Sequence, residues 1–280
     1  MHTSKLGKRD IGEIMKRFHN KRAVVIGGTS GIGYHCAKKI TEEGAKVVLV
    51  ARGEENLKRV SKELEGTVGY IVADIAKRLD CQTIVSESIR LLGNIDIVIH
   101  CAAQHVRGPV LSCSVDDLCE MVRSNLEAPI YLSRSFLPSL ITTKGVLILV
   151  SSLAGCIPLP NAATYSATKF GLRAFSIALS QEVKEYNVGV TVVSPGPVAT
   201  RFILDDLDAV SDMTLSQPML SPEYVARRIL GAIISRPIEI QVPRKSGYLT
   251  TLGYIFPFLR RWLQPSLKRK GVRQRKRLQK

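Results

Sequence analysis

Apolar residues along this chain come in short, nearly unbroken runs, separated by longer stretches in which they recur every three or four positions. Seven runs predict strands: Ala23–Ile26, Lys46–Val50, Val68–Val72, Ile95–Ile99, Val146–Val150, Val188–Val193 and Pro237–Val242. Val, Ile and Leu fill them with little alternation, as expected of strands covered on both faces of a parallel sheet. Helical spacing occupies Gly33–Glu43, Glu54–Leu64, Cys81–Leu92, Val115–Leu140 and Thr164–Tyr186. Strand–helix–strand repetition implies right-handed crossovers with helices on both faces. The expected fold is α/β: one domain over residues 23–247, built on a doubly wound, mostly parallel, seven-stranded sheet.

A chain of 280 residues can bury a sizeable core without disulfides or metals. Its six cysteines form no C-x-x-C pair and its five histidines show no ligand spacing, so the cysteines read as small buried hydrophobes in a reducing compartment. The net charge of +16 lies at the ends. Residues 260–280 carry +10 and the N-terminal extension 1–22 carries +5, which leaves the body nearly neutral. A nucleic-acid-binding domain would show its basic stripe on the folded body, so nucleic acid is not the expected partner. The basic start lacks the apolar run of a secretory signal, and no run reaches the roughly 20 apolar residues of a spanning helix. The expected location is cytoplasmic, with any membrane contact peripheral.

Chemistry begins at Ile26-Gly27-Gly28-Thr29-Ser30-Gly31-Ile32-Gly33, between the first strand and the first helix. Glycines at Gly27, Gly31 and Gly33 allow a tight turn and close approach to a pyrophosphate, which the helix N-terminus then attracts. Thr29, Ser30 and Ile32 belong to the same turn. The second strand ends Ala51-Arg52, where an acid would grip ribose hydroxyls. Arg52 can instead pair with a 2′-phosphate, which favours NADP(H) over NAD(H); the plain alternative is a solvated arginine opening a helix. Asp74-Ile75, after the third strand, suits an adenine amino group and ring, or an ordinary turn.

The fifth strand ends in Ser151-Ser152, and Tyr165-Ser166-Ala167-Thr168-Lys169 follows on a helix. Residues four apart share a helix face, and an ammonium beside a phenol favours the phenolate, bringing tyrosine toward a working acid/base. The spacing alone proves little, since Tyr34 and Lys38 repeat it. Only Tyr165 has a serine thirteen residues upstream, at a strand's carboxyl end, where open α/β sheets bind ligands.

With the glycine turn, Asp74, Ser152, Tyr165 and Lys169 in this order, residues 20–242 resemble the short-chain dehydrogenase/reductase family, in an NADP-preferring form. The resemblance implies a Rossmann fold and hydride transfer between NADP(H) and a carbonyl/alcohol pair. It implies that Ser152 holds the substrate oxygen, that Tyr165 is the acid/base, and that Lys169 lowers the tyrosine pKa and holds the nicotinamide ribose. Asn125 matches a helical asparagine that positions a water in the proton relay. Pro195, Gly196, Val198 and Thr200 match the segment that covers the nicotinamide, and Ala102 a position against the cofactor. Homodimers or homotetramers are usual for the family. Two departures stand out: His100-Cys101-Ala102-Ala103 replaces Asn-Asn-Ala-Gly, and Ile26 replaces threonine. His100 must therefore find another arrangement or stay buried with a partner missing.

Residues 201–222 mix aliphatic groups with acids, the pattern of a lid over a lipophilic ketone or of a short surface helix. Residues 248–280 join Tyr248, Tyr254, Phe256, Phe258 and Trp262 to the polybasic end. They fit an interfacial anchor on anionic lipid, or a pocket cover or subunit interface whose charged end stays solvated. The leading expectation is a carbonyl reductase acting on a hydrophobic or lipid-like substrate. The alternatives are a catalytically weak nucleotide-binding scaffold or sensor, and a membrane-associated module.

Overall fold

The computed structural model describes residues 16–279. Its strands are β1 (Arg22–Ile26), β2 (Lys46–Ala51), β3 (Thr67–Val72), β4 (Ile97–His100), β5 (Val146–Val150), β6 (Gly189–Pro195) and β7 (Glu239–Val242). All six pairings are parallel. The order is β3-β2-β1-β4-β5-β6-β7, a doubly wound Rossmann sheet whose direction of growth reverses between β1 and β4.

Successive strand residues point to opposite faces, so each uninterrupted apolar run feeds two cores. On one face Val25, Val47, Leu49, Ile99 and Ile148 pack with α1 (Gly31–Glu42), α2 (Glu54–Glu63) and α9 (Pro222–Ser235). On the other, Val24, Ile26, Val48, Val98 and Leu149 meet α3 (Arg78–Leu92), α5 (Ala128–Thr143) and α6 (Ala163–Glu182). Two faces of apolar demand explain why the strands lack alternation.

Two details differ from the sequence pattern. The long helix expected over 115–140 is α4 (Val115–Val122) and α5 joined by a π-helical turn, Arg123–Glu127. Of the basic extension, residues 1–15 lie outside the described residues, whereas Phe18 is buried in the core beside α1 and α2.

The carboxyl-terminal segment forms α10 (Arg244–Ile255) and α11 (Pro257–Leu278). Of the charged end, Lys268, Arg269, Lys270, Arg273, Lys276 and Arg277 are exposed, and Arg275 departs from the solvated reading. Arg275 donates to the carbonyls of Leu207 and Val210 and, at 2.9 Å, to Asp212. Leu278 packs with Ile203, Val210 and Leu215 of the 201–222 segment, which holds the short helices α7 (Arg201–Leu204) and α8 (Asp212–Leu215). The aromatic residues, by contrast, are largely exposed. Among the described residues no helix is long and apolar enough to cross a membrane.

Candidate active site

One cavity of about 520 Å³ opens at the carboxyl ends of the strands, over the reversal point. Its floor is the glycine turn. Gly27 takes φ +82°, and a side chain there would meet the Ala102 backbone nitrogen at 2.8 Å. A Cβ on Gly33 would stand 2.0 Å from the Gly27 carbonyl oxygen, so helix and turn touch backbone to backbone. The first turn of α1 therefore faces the cavity with its unpaired N–H groups, together with Thr29, Ser30, Gly31 and Ile32.

Arg52 is exposed at the rim and has no acidic partner among the described residues. Asp74 and Ile75 line the same end. One Asp74 carboxylate oxygen accepts from the Ala76 N–H at 3.1 Å, so the turn role and the lining position coexist. Ala102, Pro195, Gly196, Val198 and Thr200 line the other end.

Ser152, Tyr165 and Lys169 also line this cavity. The Tyr165 helix is anchored where Ser166 Oγ accepts from the Leu159 N–H at 3.1 Å. Burial pushes the Tyr165 phenol up, while a hydrogen bond with Ser152 and the charge of Arg107 pull it down. Lys169 does not act on the phenol as expected. Its Nζ lies 5.7 Å from the Tyr165 ring centroid and donates to the Val150 carbonyl at 3.2 Å. One helical turn sets the ammonium near the ring, and its hydrogen bond goes to the end of β5. Burial also lowers Lys169 to about 8, which still leaves it mostly charged at neutral pH.

Asn125 is fully buried in the π-helical turn, a feature frequent at functional sites. Its Nδ2 donates to the Gln104 carbonyl at 2.8 Å and its Oδ1 accepts from the Gln104 N–H at 2.9 Å. Both ends of the amide are thus engaged by the loop after β4. His100 is buried with Nε2 unpartnered among the described residues, the second of its two expected outcomes. Tyr34, of the duplicate motif, donates its hydroxyl to Glu63.

Sequence reasoning missed His105 and Arg107 of this site, which meet Phe202 of the segment read as a lid. His105 stacks on Tyr165, centroids 3.9 Å apart, and burial lowers its pKa to about 3. Arg107 donates to the Phe202 carbonyl at 2.6 Å and pairs with Asp206 at 3.2 Å, tying the loop after β4 to α7. Phe202 completes the aromatic wall 6.2 Å from Tyr165. The available signal was their position just past a strand's carboxyl end, which marks a region rather than a residue.

The model for short chain dehydrogenases matches residues 21–207. The chain belongs to the short-chain dehydrogenase/reductase family. It is 30% identical over 254 residues to dehydrogenase/reductase SDR family member 7B of Bos taurus, covering 84% of this chain and 78% of that protein. To an uncharacterized oxidoreductase of Staphylococcus aureus it is 30% identical over 225 residues, 80% of this chain and 94% of the other. A solved short chain dehydrogenase/reductase family protein superposes with a TM-score of 0.72 at 21% identity, covering 80% of this chain and 96% of that one, a likeness of fold. As a short-chain dehydrogenase/reductase, the protein is an oxidoreductase of small carbonyl or alcohol substrates that binds a nicotinamide nucleotide.

Proposed function

We propose that this protein is an NADP(H)-dependent carbonyl reductase whose substrate is a hydrophobic, lipid-like ketone. The carrying observation is that Ser152, Tyr165 and Lys169 line one end of a cavity while Arg52, free of any acidic partner among the described residues, stands at the other. The glycine turn suits the pyrophosphate, Arg52 a 2′-phosphate, and Asp74 with Ile75 the adenine. Ala102, Pro195, Gly196, Val198 and Thr200 suit the nicotinamide end. Bound there, the nucleotide supplies the hydride.

In reduction Ser152 donates a hydrogen bond to the substrate carbonyl and holds the charge that develops on its oxygen. Tyr165 gives that oxygen its phenolic proton; in oxidation it takes the proton back. Lys169, cationic at neutral pH, holds ribose hydroxyls. Asn125 acts as a positioning residue, because its clasp on Gln104 fixes the loop that carries His105 and Arg107. Phe202, Ile203 and Val210 give the cavity an apolar wall, which supports a hydrophobic substrate.

Initial rates with NADPH and NADH across ketones of increasing chain length test the proposal. NADPH should be preferred and kcat/KM should rise with chain length. Better use of NADH overturns the cofactor assignment, and faster turnover of short polar ketones overturns the substrate class. Tyr165→Phe should cut kcat by roughly 100-fold or more while nucleotide binding persists.

A further inference from the structure

α11 presents two opposite faces. Gly271, Arg275 and Leu278, at i, i+4 and i+7, turn inward onto the 201–222 segment. The contact at Gly271 is backbone to backbone, since a Cβ there would lie 1.9 Å from the Asp212 carbonyl oxygen. Arg275 satisfies carbonyls of the loop before α8, and Gln279 donates to Asp208 at 2.8 Å. Val210, Ser211 and Thr214 of the braced segment line the catalytic cavity. α11 therefore backs the cavity wall.

The face two residues out of phase, Trp262, Arg269, Arg273 and Lys276, is exposed. With α10 it shows solvent a dense set of large apolar groups: Trp262 is 77% exposed, Phe258 70% and Leu249 66%. From residue 244 to 280 the sequence holds twelve Lys or Arg and no acid. Exposed apolar patches of this kind mark interaction sites. Aromatic and aliphatic groups among cations without acids complement a surface that is both anionic and apolar beneath, which describes a bilayer of acidic lipids better than a nucleic acid.

We propose that α10 and α11 form a docking surface for an anionic bilayer, and that the helix lying on the bilayer also braces the wall of the catalytic cavity. The bracing rests on the reductase reading only in what the cavity holds; docking and wall order stand apart from it. A lipid-like substrate would then be met at the surface where it resides, with the cavity wall held in place.

Co-sedimentation of the full chain with vesicles of phosphatidylcholine, with and without phosphatidylserine, tests docking. Binding should require phosphatidylserine and weaken with salt. The R269E/R273E/K276E variant should lose roughly fivefold or more per charge, and W262S/F258S should also bind more weakly. NADPH fluorescence, unchanged in both variants, would show that the domain remains folded. Equal binding to both vesicle types, no vesicle binding, duplex RNA binding in its place, or self-association through this face alone would each overturn docking. For the brace, hydrogen exchange of amides 205–215 should accelerate in G271V while NADPH binding stays constant; unaltered exchange overturns it. Absence of ketone turnover would count against the reductase reading and leave both readouts standing.

Discussion

The imidazole of His105 lies flat against the Tyr165 phenol, ring centroids 3.9 Å apart and planes inclined by 15°. Burial keeps the imidazole neutral at working pH, its pKa being near about 3. A neutral ring in this position adds no charge that would shift the phenol, and it restricts how the phenol swings. Stacked pairs contribute about 0.5–1.5 kcal/mol beyond buried area. His105→Ala should therefore lower kcat roughly threefold to tenfold with little change in NADPH affinity, and His105→Phe should restore most of it. Steady-state kinetics of the two variants with one ketone is the check; equal rates for both would remove the positioning role.

Arg52 is read as the discriminator between nucleotides. Arg52→Ala should raise KM for NADPH roughly tenfold or more by removing a charge-assisted contact, with KM for NADH nearly unchanged. Arg52→Asp, which supplies an acid for ribose hydroxyls, should reverse the preference. Parallel titrations with both nucleotides measure this.

Glycine positions should split sharply by what surrounds them. Gly33→Ala puts a methyl 2.0 Å from the Gly27 carbonyl, where only backbone could yield. A loss of about 3 kcal/mol and of nucleotide binding is expected. Gly231→Ala, within α9 with nothing inside 4 Å of the new methyl, should gain about 0.5–1 kcal/mol. Urea midpoints of the two variants decide it.

Acid should destabilise the fold through its buried imidazoles. His100 is held to about 3 against an ordinary 6.5, chiefly by burial and then by the charge of Lys169. Between those values the unfolded chain binds the proton and the folded chain does not, so stability present above pH 6.5 is lost as pH falls toward 3. His105 acts in the same direction. His100→Asn should flatten the acid limb by up to about 1.4 kcal/mol per pH unit. Urea unfolding at a series of pH values reads the slope, and an unchanged slope would contradict the assignment.

Most of the sheet was legible because burial on two faces forces apolar runs, and those runs lie within a few residues of the observed strands. The glycine turn and the Tyr165–Lys169 pair were legible for a similar reason: each is a local constraint, one on backbone shape and one on helix spacing. Lys169 shows the limit. Spacing brought it beside Tyr165, while the Val150 carbonyl, reached only through the folded sheet, decided where its ammonium points.

Sequence by itself thus determined the fold class, the glycine turn and the placing of Tyr165 and Lys169 on one helix face, because periodicity and local sterics are written in neighbouring positions. Tertiary structure alone decided that His105 covers Tyr165, that Arg107 ties one loop to α7, and that Arg275 fastens α11 to the cavity wall. These contacts join residues dozens of positions apart, and no local preference encodes which polar group will meet which carbonyl. Only closure of the loops around a packed sheet selects them.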